Sequence, residues 1–257
     1  ANVLKAMGVR KGDVVATYLS RILEISFVML ACVKSGAVHS VVFAVIGANA
    51  CIDGSESKVV NTAGGPWING KVFPMKQIIN GAVKFSPTVE NVIVARNASS
   101  EVSIDSIRDH WCDELCKLPI AKGKGEFVQV AEDPLFVPCA SGSTGKLKAT
   151  VHTHGGYQAG TYVTLEQCFD IKEEDYWWCT ADPGWITGHF YLVYGPLLSG
   201  ATVFVHEGGP AYPYPEGQLI GHYGITSFYT APTAIRTLMR FGDAWGRKHL
   251  RILGSVG

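Results

Sequence analysis

With 257 residues, 47% of them hydrophobic, the chain is long enough for one large α/β domain or two small ones and too apolar to remain disordered. Its 22 basic and 22 acidic side chains cancel, which argues against a general polyanion binder but not against a nucleotide, since one small ligand needs only a local cluster of donors. Seven cysteines scattered through apolar segments do not form a disulfide framework and point to a reducing compartment.

The start, Ala1-Asn2-Val3-Leu4, has neither an initiating methionine nor the basic and apolar regions of a signal peptide, so it reads as internal. A cytoplasmic protein is expected, with a mitochondrial one as the alternative if a leader precedes this segment. Pattern then predicts a short helix at 3–7, a strand at 14–19 and a helix at 24–34 stopped by Ser35-Gly36. A strand follows at 39–45. The apolar run 41–52 is too short for a membrane span and holds Gly47 and Asn49, so no membrane association is expected. The stretch 46–54 is a poor helix, which predicts a shortened crossover before a strand at Val59 and Val60. A helix at 75–83 and a strand at 92–95 complete a βαβαβ-like first subdomain over 1–118.

Residues 119–134, rich in Lys, Gly and acidic side chains, read as a linker, and 135–257 as a second subdomain. There, strands at 135–139, 177–180, 202–205, 225–229 and 250–253 alternate with helices at 156–169, 188–198 and 233–239. The continuous apolar run Thr202-Val203-Phe204-Val205 favours a parallel sheet covered on both faces. The fold class expected is therefore α/β, with two layered, mostly parallel sheet units and flanking helices.

The chemical centre is Ser141-Gly142-Ser143-Thr144-Gly145-Lys146, directly after a short apolar strand. The glycines permit a close backbone turn, and the hydroxyls, backbone N–H groups and Lys146 suit phosphate oxygens. A Walker A loop is excluded, because Ala140 stands at its first glycine and Leu147 follows the lysine. A dinucleotide fingerprint is likewise absent. A plain Gly-Ser surface turn would explain the small residues but not the lysine after a strand.

Together with Val151-His152-Thr153-His154-Gly155-Gly156, this loop resembles the phosphate-loop region of the adenylate-forming acyl-CoA synthetase family. The segments 177–189, 228–236 and Gly254-Ser255-Val256-Gly257 are similar, in order, to that family's acyl-pocket segment, the strand-turn-helix after it and the start of its adenine-binding turn. The resemblance implies an AMP-forming acid:thiol ligase that takes acetate, ATP and CoA, with Mg²⁺ neutralising phosphate charge. The alternatives are a propionate enzyme or an inactive nucleotide-binding piece. It assigns Ser141, Gly142, Ser143, Thr144, Gly145, Lys146 and Gly257 to the nucleotide, with Thr144 and Lys146 stabilising the leaving pyrophosphate. Lys71 and Ala231 fall to CoA, and Trp185, Ile186, Thr187 and Val256 to the acid. Cys139-Ala140 stand where the family usually has Tyr-Thr, Leu147 and Ala149 replace a proline and a glycine, and Ile68 replaces a second basic contact to CoA. On the same resemblance the chain is expected to stop inside the adenine-binding turn and to lack the mobile domain and its adenylation lysine, so the piece alone should not complete turnover.

Other groupings are weaker. His110, Cys112 and Cys116 offer three metal-capable atoms, but His110 is offset from the cysteines' helix face and no fourth ligand is apparent, so no metal site is expected. His152 and His154 could contact the nucleotide or simply bond the local backbone. Lys5, Arg10 and Lys11, and Arg247, Lys248 and His249, form basic areas without any recognised nucleic-acid module, so they read as solvated turns.

Overall fold

The computed structural model describes residues 1–43, 48–68, 70–97, 102–123, 129–140, 148–208, 216–241 and 249–256. Within them the chain forms two compact units, one of 1–66 with 72–156 and one of 67–71 with 157–257.

The first unit is built on a seven-stranded sheet. In chain order its strands are β1 (Val14–Tyr18), β2 (Val38–Val41), β3 (Val59–Ala63), β6 (Asn91–Ala95), β7 (Asp109–Trp111), β8 (Pro134–Phe136) and β11 (His152–Thr153). They lie in the order β11-β8-β2-β1-β3-β6-β7, parallel throughout except for β11 against β8. Val15, Val59 and Ile93 project to one face, where they pack with Leu4 of α1 (Asn2–Ala6) and Cys32 of α2 (Leu23–Ser35). The opposite face is covered too, by α3 (Ala48–Gly54) and α4 (Met75–Ala82), which is why β3 is buried from end to end and its sequence is not alternating. Residues 46–54, a poor helix by sequence and expected as a shortened crossover, thus include a short helix; 44–47 lie outside the described residues.

Helix α2 shows how closely local sequence sets local form. Ile25, Met29 and Cys32 recur at helical spacing and form its buried stripe, Glu24 complements the positive N-terminal end, and Gly36 ends it in the left-handed conformation at φ 73°. Strand β8 begins at the last residue of the stretch expected as a linker, yet it pairs with β2 in the first sheet. The local sequence of 134–136 reads as a strand, but its partner, His39, is fixed only by the tertiary fold.

The second unit holds a four-stranded parallel sheet of β12 (Tyr176–Cys179), β13 (Thr202–Phe204), β14 (Ser227–Thr230) and β15 (Ile252–Ser255), ordered β13-β12-β14-β15. Adjacent tryptophans on β12 face opposite ways, as the two-residue period requires. Trp178 joins Phe228, Ile220 of α9 (Glu216–Tyr223) and Leu238 of α10 (Pro232–Leu238) in one core. Trp177 packs on the other side against Phe169, at the end of α6 (His154–Phe169), with ring centroids 5.2 Å apart.

The expected helix at 188–198 is present but not uniform. It runs as α7 (Ile186–Gly188), a wider π-helical turn over His189–Tyr194, and α8 (Gly195–Leu198). Among the described residues no helix is long and apolar enough to cross a membrane.

Candidate active site

In the second unit the chain leaves β12 through α7 and α8 to reach β13 on one side, then crosses by α9 to β14 on the other. The strand order therefore reverses between β12 and β14, and open α/β sheets bind ligands at the carboxyl ends of strands at such a point. Here those ends are held together by the hydroxyls of Thr180 and Thr230, 2.5 Å apart, and by Thr180 N–H donating to the Tyr229 carbonyl at 3.1 Å.

Three of the segments assigned from sequence meet this edge. After β14, Ala231 is the N-cap of α10, in extended conformation, and its carbonyl accepts from the N–H groups of Ala234 and Ile235 at 3.0 and 3.2 Å. After β15, Val256 donates its N–H to the Thr230 carbonyl at 3.2 Å and is 37% exposed. After β12, Asp182 organises a tight turn: its Oδ1 accepts from Gly184 N–H at 2.8 Å and its carbonyl from Trp185 N–H at 3.0 Å. Trp185 and Ile186 are then presented outward at 50% and 36% exposure, whereas Thr187 is turned in at 7%.

Space, not backbone angle, requires glycine at 188. A Cβ there would lie 2.1 Å from the Asp182 carbonyl oxygen and 2.7 Å from Pro183 Cα, both backbone atoms that cannot swing aside. Gly188→Ala should accordingly force the 182–185 turn away from α7 and cost about 1–3 kcal/mol of stability, the usual range for overpacking. Urea unfolding followed by fluorescence checks this; an unchanged midpoint would mean that the turn yields freely.

The segment expected as the phosphate loop, residues 141–146, lies outside the described residues, as do Leu147 and Gly257. Its flanks are placed: β9 (Cys139–Ala140) and β10 (Lys148–Ala149) pair antiparallel, with Ala140 opposite Lys148. Nearby in the same unit, Phe136 is stacked between His39 and His152, with centroid separations of 5.3 and 4.5 Å. Burial pulls the His152 and His154 imidazoles below the ordinary histidine range, so both favour the neutral form. Lys71 is exposed on β5 (Lys71–Val72), and the neighbouring Trp67 N–H donates to Glu207 Oε1 at 3.3 Å.

His110 Nε2 lies 3.0 Å from Asn91 Oδ1 across β7 and β6, and no cluster of three or more His, Cys, Asp or Glu suited to an ion occurs among the described residues. The cysteines whose side chains are described are free thiols. Lys11 pairs with Asp133 at 2.5 Å, while Arg247 and Lys248 lie outside the described residues.

Two mostly parallel sheets with flanking helices, the smaller reversing its strand order between β12 and β14, define an α/β fold. The chain belongs to the AMP-binding enzyme family, whose pattern it matches over residues 1–257. It is 45% identical to an acetyl-coenzyme A synthetase of Methanothrix thermoacetophila, with all of this chain covering 40% of that protein. Against the acetyl-coenzyme A synthetase of Rubrobacter xylanophilus it is also 45% identical, covering 41%. The chain thus spans about two fifths of the length of the curated relatives it matches. The acetoacetyl-CoA synthetase of Streptomyces lividans has the same fold over 99% of this chain and 40% of its own, at a TM-score of 0.87 and 26% identity.

Proposed function

We propose that this chain supplies the nucleotide- and acid-binding region of an AMP-forming acetate:CoA ligase. The observation that carries this reading is the 45% identity to acetyl-coenzyme A synthetases, maintained across the whole chain. In the reaction, a carboxylate oxygen of acetate attacks the α-phosphorus of ATP and displaces pyrophosphate. The CoA sulfur then attacks the acetyl carbonyl and displaces AMP. No protein nucleophile is needed, so the chain's task is positioning and charge stabilisation.

Ser141, Gly142, Ser143, Thr144, Gly145 and Lys146 take the ATP phosphates, and Gly257 takes the adenine side. Mg²⁺, carried on the phosphates, would supply charge neutralisation beside Thr144 and Lys146. Ala231 and Lys71 serve CoA, Ala231 through its backbone at the start of α10 and Lys71 through its ammonium group. Trp185, Ile186, Thr187 and Val256 surround acetate; their support is that 185–187 follow the turn after β12 and 256 follows directly on the carboxyl end of β15. The bacterial and archaeal sources of the relatives support a cytoplasmic setting.

The test uses the enzyme extended to its relatives' length. Acetate-dependent pyrophosphate release and acetyl-AMP detected by mass spectrometry are expected; a folded enzyme that makes no acetyl-AMP at any acetate concentration would sink the assignment. For the acid pocket, kcat/KM should rank acetate above propionate and butyrate. Val256→Ala should then improve butyrate relative to acetate by about tenfold, within the range carried by one methylene in a pocket. An enzyme that ranks propionate first, or a Val256→Ala variant with unchanged ratios, removes that placement.

A further inference from the structure

The six residues His189–Tyr194, which follow immediately on the proposed acid-pocket segment, form a π-helical turn. Such turns are rare and frequently sit at functional sites. Within the helix Pro196 offers no N–H to the preceding turn, and from outside it one side chain reaches the turn's backbone. Trp177, fully buried on β12, donates its indole N–H to the main-chain carbonyl of Tyr191 at 2.6 Å, reaching 14 residues along the sequence. The Tyr191 ring is packed on Tyr229 of β14 at 4.5 Å and on Phe190 at 4.6 Å.

Both ends of the turn are also fixed. At one end stands Gly188, with no room for a side chain against the Asp182–Pro183 backbone; at the other, a Cβ on Gly195 would lie 2.0 Å from Leu165 Cδ1 and 2.8 Å from the Phe190 carbonyl. The register of the turn therefore decides how the residues before it are presented. Closing a π turn to ordinary α-helix removes one residue's advance, a rotation of about 100° and a rise of about 1.5 Å. Such a change, passed back to 186–188, would turn Thr187 out of its buried position and carry another side chain into its place.

We propose that Trp177 is a positioning residue for acid selection: its indole N–H, by holding the Tyr191 carbonyl, keeps 189–194 in the wide register that turns Thr187 inward and Ile186 outward. This rests on the reading of 185–187 as part of the acid pocket. It is distinct from a general packing role, because packing needs only the ring whereas the register needs the donor.

The experiment compares three changes in the enzyme extended to its relatives' length. Trp177→Phe removes the donor along with part of the ring. Replacement of Trp177 by β-(3-benzothienyl)alanine keeps the shape and removes only the N–H. Trp178→Phe, on the opposite face of the same strand, controls for general loosening of β12. Both changes at 177 should lower the acetate-to-propionate ratio of kcat/KM by about three- to tenfold, the fold-change of one net hydrogen bond, mainly through KM for acetate. Trp178→Phe should leave the ratio as it was. In the same proteins, hydrogen exchange followed by mass spectrometry should show faster exchange across 189–194 for the two changes at 177 and not for Trp178→Phe. Exchange at 189–194 unchanged in the benzothienyl variant overturns the proposal whatever the kinetics show. Faster exchange with an unchanged ratio overturns the link to acid selection, and absence of acetyl-AMP in the parent enzyme rejects the ligase reading and with it that link, while the exchange arm still decides the hold on the turn.

Discussion

Lys146→Ala in the enzyme extended to its relatives' length is expected to lower the rate of acetyl-AMP formation by about a hundredfold, the loss typical of removing one preorganised donor from a developing anion. As ATP splits, negative charge gathers on the departing pyrophosphate. A lysine following Gly142-Ser143-Thr144-Gly145 can meet that charge with an ammonium group, while backbone N–H groups and the Thr144 hydroxyl contribute fixed dipoles. Because the charge grows along the reaction coordinate, the loss should appear chiefly in kcat, with a smaller change in KM for ATP. Lys146→Arg keeps the charge but not its shape, and should recover only part of the rate. Single-turnover measurement of acetyl-AMP by quenched flow separates this step from CoA attack. Unchanged single-turnover rates in Lys146→Ala would remove the residue from its proposed role.

How much of this was legible in the sequence depends on how local each signal is. The stop of α2 at Gly36 and the split facing of Trp177 and Trp178 follow from short-range rules, and the sequence reading reached the helix end directly. Strand β8 was recognised, but its place beside β2 was not, since nothing in Pro134–Phe136 names His39 as a partner. The turn at His189–Tyr194 is expected from sequence as plain helix; Pro196, which has no N–H to return to the preceding turn, is the local sign of an irregularity, whereas the bond from Trp177, 14 residues earlier, carries no local signal. The residues proposed for the acid pocket are singled out only by family resemblance. Ile186, Thr187 and Val256 carry no chemistry that singles them out, and only the sheet brings their segments to one edge. Lys76 is likewise inconspicuous in the sequence. A lysine in a short helix ordinarily lies on its solvated side, and the partner that makes this one different is 33 residues away.

That partner is Asp109, and separating the two is expected to be the most destabilising single change in the first unit. Lys76 on α4 and Asp109 on β7 have fully buried side chains joined at 2.6 Å. The pair has further partners: Lys76 Nζ also donates to Asn80 Oδ1 at 2.5 Å, and Asp109 accepts from Arg108 Nε at 2.8 Å and from Asp105 N–H at 3.0 Å. Removing one partner from such a pair leaves an uncompensated buried charge and costs about 3–5 kcal/mol, a large share of the roughly 5–15 kcal/mol that holds a typical domain. Asp109→Asn should be the worse variant, because it strands the Lys76 ammonium; Lys76→Met leaves Asp109 with Arg108. The double variant should lose less than the sum of the two, since neither charge then lacks its mate.

The pH response gives an independent check. Burial opposes ionisation of Asp109, but the hydrogen bonds from Arg108 and Lys76 outweigh it and hold the carboxyl below the ordinary aspartate value of 3.8. A carboxyl depressed on folding contributes stability that is fully present above the unfolded value and is lost as pH falls through the folded one, so the parent should weaken in acid only below about pH 4. Without Lys76 the depression shrinks, and the acid-dependent loss from this site should shrink with it, although Lys76→Met is less stable at every pH. Urea titrations from pH 7 down to pH 3, with hydrogen exchange read at Asn91–Ala95 and Asp109–Trp111, measure both effects. A Lys76→Met midpoint equal to that of the parent at pH 7 would show that the pair contributes nothing net; a parallel pH profile would show that Lys76 is not what holds the Asp109 proton off.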